Sequence, residues 1–129
     1  MADCRGGGVK LIYSCSGCSD VGQIADLSVR KLSKEGFGKM TCLAGVGAHL
    51  AGFVESAKSA EVNITIDGCP VACARKTLEH ISVKPQSFIL TEMGIKKGSA
   101  PLNEETIAAM CEKIQGDKSI NQGKGNEGS

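Results

Sequence analysis

Three of the seven cysteines in this 129-residue sequence recur at one interval: 27 residues separate Cys15 from Cys42, and another 27 separate Cys42 from Cys69. A strand together with the helix that follows it takes roughly that length. The local patterns agree. A strand-length apolar run over 9–14 leads into Cys15, and Lys39-Met40-Thr41-Cys42-Leu43 reads as a second short strand. The run 62–66 alternates Val62, Ile64 and Ile66 ahead of Asp67-Gly68-Cys69. Helical patterns lie between these runs. Asp20, as N-cap, and Gln23 have the form of a capping box, and Ile24, Leu27 and Leu32 follow at helical spacing until Gly36 and Gly38. A glycine-rich turn then precedes a helix expected over 48–57, and Pro70 suits the first turn of another that runs through Ile81. Phe88-Ile89-Leu90 marks a fourth strand, and Asn103-Glu104-Glu105 opens a last helix with Ile107, Met110, Cys111 and Ile114 on its inner face.

The order β-α-β-α-β-α-β-α predicts a single α/β domain: an open, mostly parallel sheet of about four strands with helices on both faces, built from Rossmann-like β-α repeats with right-handed crossovers. The domain is expected over 9–115, after a flexible N-terminus at 1–8 and before a disordered, polar, glycine-rich tail at 116–129. A chain of this length buries roughly two thirds of its extended surface, so it holds a core without disulfides.

Composition narrows the function classes. The net charge of +1 gives nothing that draws the chain onto nucleic acid or an anionic membrane. Aromatics at 3% and no Trp argue against a base-stacking module. The longest mostly apolar stretch, 42–54, is too short to span a bilayer and is broken by Gly45, Gly47 and Gly52. The N-terminus lacks the apolar core of a signal peptide, and Ala2 excludes myristoylation. A cytoplasmic protein is expected. In a reducing compartment, clustered cysteines more often bind metal or do thiol chemistry than form disulfides, and seven is an odd number.

Adjacent strands lie about 4.8 Å apart, so Cys15, Cys42 and Cys69 at three neighbouring strand ends would line one edge of the sheet. Open α/β sheets place their ligands in the crevice at that edge. Cys18, three residues after Cys15, and Cys73, one helical turn after Cys69, reach the same place. Five cysteines therefore converge, with spacings C-x2-C, a lone Cys, and C-x3-C. A tetrahedral Zn²⁺ takes four thiolate or imidazole ligands. The best placed are Cys15, Cys42, Cys69 and Cys73, with Cys18 as a fifth candidate or an exchange ligand. The bland alternative is a set of small buried hydrophobes.

With those residues in place, the chain resembles the DGC-domain family, described as zinc-binding proteins. The resemblance rests on Asp67-Gly68-Cys69-Pro70-Val71-Ala72-Cys73-Ala74, on Cys-Ser-Gly at 15–17, on Asp20-Val21-Gly22-Gln23 and on Cys42-Leu43-Ala44-Gly45-Val46-Gly47. It covers the chain from about Lys10 to Gly94. It implies zinc held through four cysteines, without settling which four, and it supplies no reaction.

Other features carry weaker signals. Gly45-Val46-Gly47-Ala48-His49-Leu50 imitates part of a dinucleotide fingerprint, but Leu50 stands where a small residue belongs and the segment follows the second strand; a glycine-rich turn is the plainer reading. Asp67 can accept bonds from loop N–H groups and hold the cysteine loops in shape. His49 can reach the same edge, and His80, late in a helix, suits the helix dipole. Arg75 and Lys76 form a basic pair after Cys73, either a solvated face or an offset to the charge of a thiolate cluster. Cys4 belongs to the flexible start, and Cys111 to the core. Two alternatives to a zinc protein remain: a thiol redox or sulfur-transfer protein using Cys15/Cys18 or Cys69/Cys73, and an iron–sulfur protein, which lacks its usual C-x2-C-x2-C spacing.

Overall fold

Strand-length apolar runs pair only with one another, and their order along the chain sets the sheet. A computed structural model describes residues 9–117 and Ile120. The elements are β1 (Lys10–Ser14), α1 (Asp20–Lys34), β2 (Lys39–Met40), α2 (Leu43–Gly47), α3 (Ala51–Ser59), β3 (Val62–Asp67), α4 (Cys73–Glu79), β4 (Gln86–Ile89), a 3-10 turn (Leu90–Met93) and α5 (Glu104–Gln115). The four strands form one parallel sheet in the order β2-β1-β3-β4. Leu11 is opposite Lys39, Ile12 is opposite both Met40 and Ile64, and Ile66 is opposite Phe88. The α/β class, the parallel sheet of four strands and the helices on both faces are as expected.

Both faces of the central strands are buried, as parallel sheets require. Ile12, Ile64 and Ile66 point to one side and pack with Val21, Ile24, Val29 and Leu32 of α1 and Met110, Cys111 and Ile114 of α5. Leu11 and Tyr13 point to the other and pack with Val46 of α2, Ala57 of α3 and Leu78 of α4. Each fully buried branched side chain contributes about 1.5–3 kcal/mol relative to exposure. Ile120 joins the first cluster, beyond the C-terminus of α5. Residues 118, 119 and 121–129 of the expected tail, and residues 1–8 with Cys4, lie outside the described residues. Among the described residues, no helix is long and apolar enough to cross a membrane.

Four local expectations are corrected. The N-cap of α1 is Ser19, whose Oγ accepts the Gly22 N–H at 3.1 Å; Asp20 is the first helical residue instead. The glycines after Cys42 are helical, because the Cys42 sulfur accepts the Gly45 N–H at 3.3 Å and caps α2. The next helix starts only at Ala51, after His49 turns the chain through the left-handed region (φ 61°). Pro70 lies outside α4, which begins at Cys73: Ala72 is left-handed (φ 54°), and its N–H closes a turn onto the Cys69 carbonyl at 3.0 Å. Cys69 and Cys73 are therefore joined by a turn and do not share a helical face.

Candidate functional site

The chain leaves β1 for α1 and β2 on one side, then crosses to β3 on the other. The order of connections thus reverses between β1 and β3, and at such a switch point open α/β sheets form their crevice. Cys15 follows β1 directly, and Cys69 follows β3 after Gly68. Cys15 N–H continues the ladder onto the Ile66 carbonyl at 3.2 Å. Its Sγ accepts the Gly68 N–H at 3.4 Å, which ties the first cysteine loop to the Asp-Gly-Cys turn. Burial pushes the Cys15 thiol up, and the negative charges of Asp67 and Cys73 add to this, against the N–H groups of Gly68 and Gly17.

Glycine at 68 and 22 is a matter of space. A Cβ on Gly68 would lie 2.6 Å from the Val21 carbonyl carbon, and one on Gly22 would lie 2.7 Å from the Gly17 carbonyl oxygen. Three backbone segments stack here without side chains between them. Gly45 is similar, since the Phe53 ring occupies the place of its Cβ. That packing, within a helix, is what Gly45 of the fingerprint-like segment serves; Gly47 has room for a side chain, with only Thr77 at 3.8 Å.

Asp67 is 1% exposed and ends β3. Its carboxylate accepts the Ala74 N–H at 2.7 Å and the Arg75 N–H at 3.1 Å, so it receives the first turn of α4 and sets where Cys73 emerges. Burial raises its carboxyl above the ordinary value, and the two N–H bonds and the charges of Arg75 and Lys76 offset this only in part. Arg75 faces Glu79 at 3.6 Å.

Cys15 and Cys69 follow the two strands that flank the switch point and are half-buried, while Cys73 opens α4 and is exposed. Cys18 and Cys42 are exposed, and all the described cysteines are free thiols. Cys42 looks across a cleft of about 1020 Å³ whose other wall includes Ser14, Cys15, Ser16, Asp26 and Arg30. On that wall the Ser14 and Ser16 hydroxyls meet at 2.8 Å, Ser16 donates to Asp26 at 3.0 Å, and Arg30 Nε donates to Asp26 at 2.8 Å. Cys111 is buried in the core and donates to the Ser28 carbonyl at 3.4 Å; burial first, and then the charge of Glu35, pushes its thiol up to about 11.

Neither histidine joins the cysteines. His49 packs edge-on against His80 with ring centroids 5.8 Å apart, and the cavity they share is lined by Val46, Gly47, Lys76 and Thr77. The left-handed turn at His49 carries it there. One participant had no motif to announce it: Lys97 Nζ lies 3.6 Å from Cys69 Sγ. Its place follows from Asp20, whose carboxylate holds the Lys97 loop across the N-terminus of α1.

As a metal centre, the donor chemistry fits: Cys15, Cys18, Cys42, Cys69 and Cys73 are five thiols, none consumed by a disulfide, that follow β1, β2 and β3 in the chain. Two of them already accept backbone N–H bonds, as metal-bound thiolates do. Among the described residues, however, no three Cys, His, Asp or Glu side chains stand together as a formed coordination shell.

The profile of the DGC domain matches residues 11–114. The chain is also 38% identical over 90 residues to the "Anaerobic and virulence modulator AnvM" of Pseudomonas aeruginosa PAO1, an alignment that spans 69% of each chain. No solved structure matches it.

Proposed function

The chain belongs to the DGC domain family, and from that premise we propose that it is a cytoplasmic zinc-binding protein whose ligands come from Cys15, Cys18, Cys42, Cys69 and Cys73. The observation that carries this reading is the bond from Gly68 N–H to Cys15 Sγ, which joins two cysteine-bearing loops at the switch point of the sheet. In this reading Cys15, Cys69 and Cys73 would be drawn together by the metal as three of its ligands. Cys18 and Cys42 compete for the fourth position, with Cys42 reached across the cleft. Zinc would supply a charge centre that draws the loops together. The name of the similar protein from Pseudomonas, a modulator, favours a regulatory role over turnover.

A second reading is a thiol pair that responds to oxidation. It is supported by the exposure of Cys18, Cys42 and Cys73 as free thiols and by the word "anaerobic" in that relative's name. One experiment separates the two: metal content of anaerobically purified protein, with a free-thiol count on the same sample. About one zinc per chain with four thiols protected is the expected result. A brown protein containing iron would replace zinc by an iron–sulfur cluster. No metal and a full set of reactive thiols would refute the zinc reading and leave the redox one.

A further inference from the structure

The connection between β4 and α5 doubles back over the N-terminus of α1. The Asp20 carboxylate accepts the Gly98 N–H on both oxygens, at 3.0 and 2.9 Å, and the Ala100 N–H at 3.0 Å, beside its own neighbour Val21 at 2.8 Å. Gly98 sits in the left-handed region (φ 95°), and the chain turns its Gly98 and Ala100 N–H groups toward one anion while the Ser99 N–H between them closes onto the Lys96 carbonyl at 3.2 Å. Lys97 immediately precedes this anchored pair, and its Nζ lies 3.6 Å from Cys69 Sγ. A second link runs from the Thr91 N–H to the Gly68 carbonyl at 3.2 Å, so the segment after β4 touches the Asp-Gly-Cys turn at two points.

We propose that Asp20 and Lys97 form a latch: Asp20 anchors the 97–100 loop, and the loop delivers Lys97 as the positive partner of the cysteine site. The charge role rests on the zinc reading above. Four thiolates around Zn²⁺ carry excess negative charge, and an adjacent cation offsets it. Arg75 is turned to Glu79, and Lys76 lines the histidine cavity; Lys97 touches a thiol. Asp20 and Lys97 are positioning residues, since neither supplies a ligand atom. The carboxylate is needed because the loop brings only donors; an amide at position 20 would turn an NH₂ group against them.

The test uses the full-length chain loaded with zinc. Transfer of zinc to 4-(2-pyridylazo)resorcinol is followed by absorbance for the wild type, Lys97→Met, Lys97→Arg, Asp20→Asn and the Asp20→Asn/Lys97→Met pair. Lys97→Met is expected to release zinc roughly tenfold faster at unchanged stoichiometry. Lys97→Arg restores most of the wild-type rate, which loss of packing alone would not produce. Asp20→Asn moves the rate in the same direction, and the double variant is no faster than the faster single one, because both break one latch. Zinc release unchanged in both single variants overturns the proposal and leaves the zinc reading intact. If the wild type holds no zinc, the zinc reading and the charge role fail together. The anchor is then judged on the metal-free chain by alkylation of Cys69 relative to Cys42: a higher ratio in Asp20→Asn supports it, and an unchanged ratio overturns it.

Discussion

Replacing Gly68 by Ala should cost this protein about 3 kcal/mol, although it adds one methyl group and no charge. A Cβ at that position would lie 2.6 Å from the Val21 carbonyl carbon and 2.7 Å from both the Val21 oxygen and the Gly22 nitrogen. All three atoms belong to the backbone at the start of α1, which cannot swing away as the tip of a flexible side chain would. That start is itself held from behind, where Gly22 leaves no room against Gly17. Overpacking of this kind typically costs about 1–3 kcal/mol, and a backbone clash belongs at the upper end. Moving the turn also weakens the Gly68 N–H bond to Cys15, worth about 0.5–1.5 kcal/mol. For a domain of this size the sum lowers the melting temperature by roughly 10 °C. The assay is urea unfolding followed by far-UV circular dichroism, with a chelator present so that metal contributes nothing. Gly52→Ala is the control: nothing lies within 4 Å of its added Cβ, and an alanine in α3 should gain up to about 1 kcal/mol. A loss below about 1 kcal/mol in Gly68→Ala would refute the claim that these loops are stacked backbone on backbone.

Three further outcomes are expected. Asp67→Ala strands the Ala74 and Arg75 N–H groups at the start of α4 and should destabilise by about 2–4 kcal/mol in the same unfolding assay, with Asp67→Asn costing less because it keeps one acceptor. Burial disfavours the Asp26 carboxylate, yet bonds from Arg30, Ser16 and Ser14 outweigh this and hold its carboxyl below the ordinary 3.8. A depressed carboxyl stabilises the fold above its unfolded value and loses that contribution as pH falls through the folded one. Asp26→Asn should therefore flatten the stability curve below about pH 4, by less than about 1 kcal/mol given the exposure of Arg30, as read from unfolding midpoints between pH 3 and 7. In metal-free native protein at pH 8, iodoacetamide should label Cys18, Cys42 and Cys73 first and Cys111 only after unfolding, because its thiol is buried and titrates near 11; early labelling of Cys111 by mass spectrometry would contradict the core packing.

Much of this architecture could be read from short-range pattern. The alternation of Val62, Ile64 and Ile66 and the helical spacing of Ile24 and Leu32 are properties of a few consecutive residues, and each produced the element expected of it. The 27-residue interval placed Cys15, Cys42 and Cys69 just past three strands because a β-α unit has a nearly constant length. Boundaries were less legible where a side chain competes for the backbone. The Cys42 sulfur caps α2 in a stretch that reads as a glycine-rich turn, and Asp67 takes N–H groups of α4 that Pro70 had appeared to open.

By itself the sequence determined the fold class and the four strands, with Cys15, Cys42 and Cys69 just past three of them, because periodicity and spacing act locally. Only the tertiary structure decided which groups meet there. Gly68 reaches Cys15 across 53 positions, and Gly98 reaches Asp20 across 78. Nothing in the intervening chain signals either pairing, since both arise from the order in which the strands are laid side by side. The same ordering sent His49 to His80 and away from the thiols, and it brought Lys97 to Cys69. Loop direction depends on a handful of left-handed residues and backbone bonds, whose consequences appear only once the strands are paired.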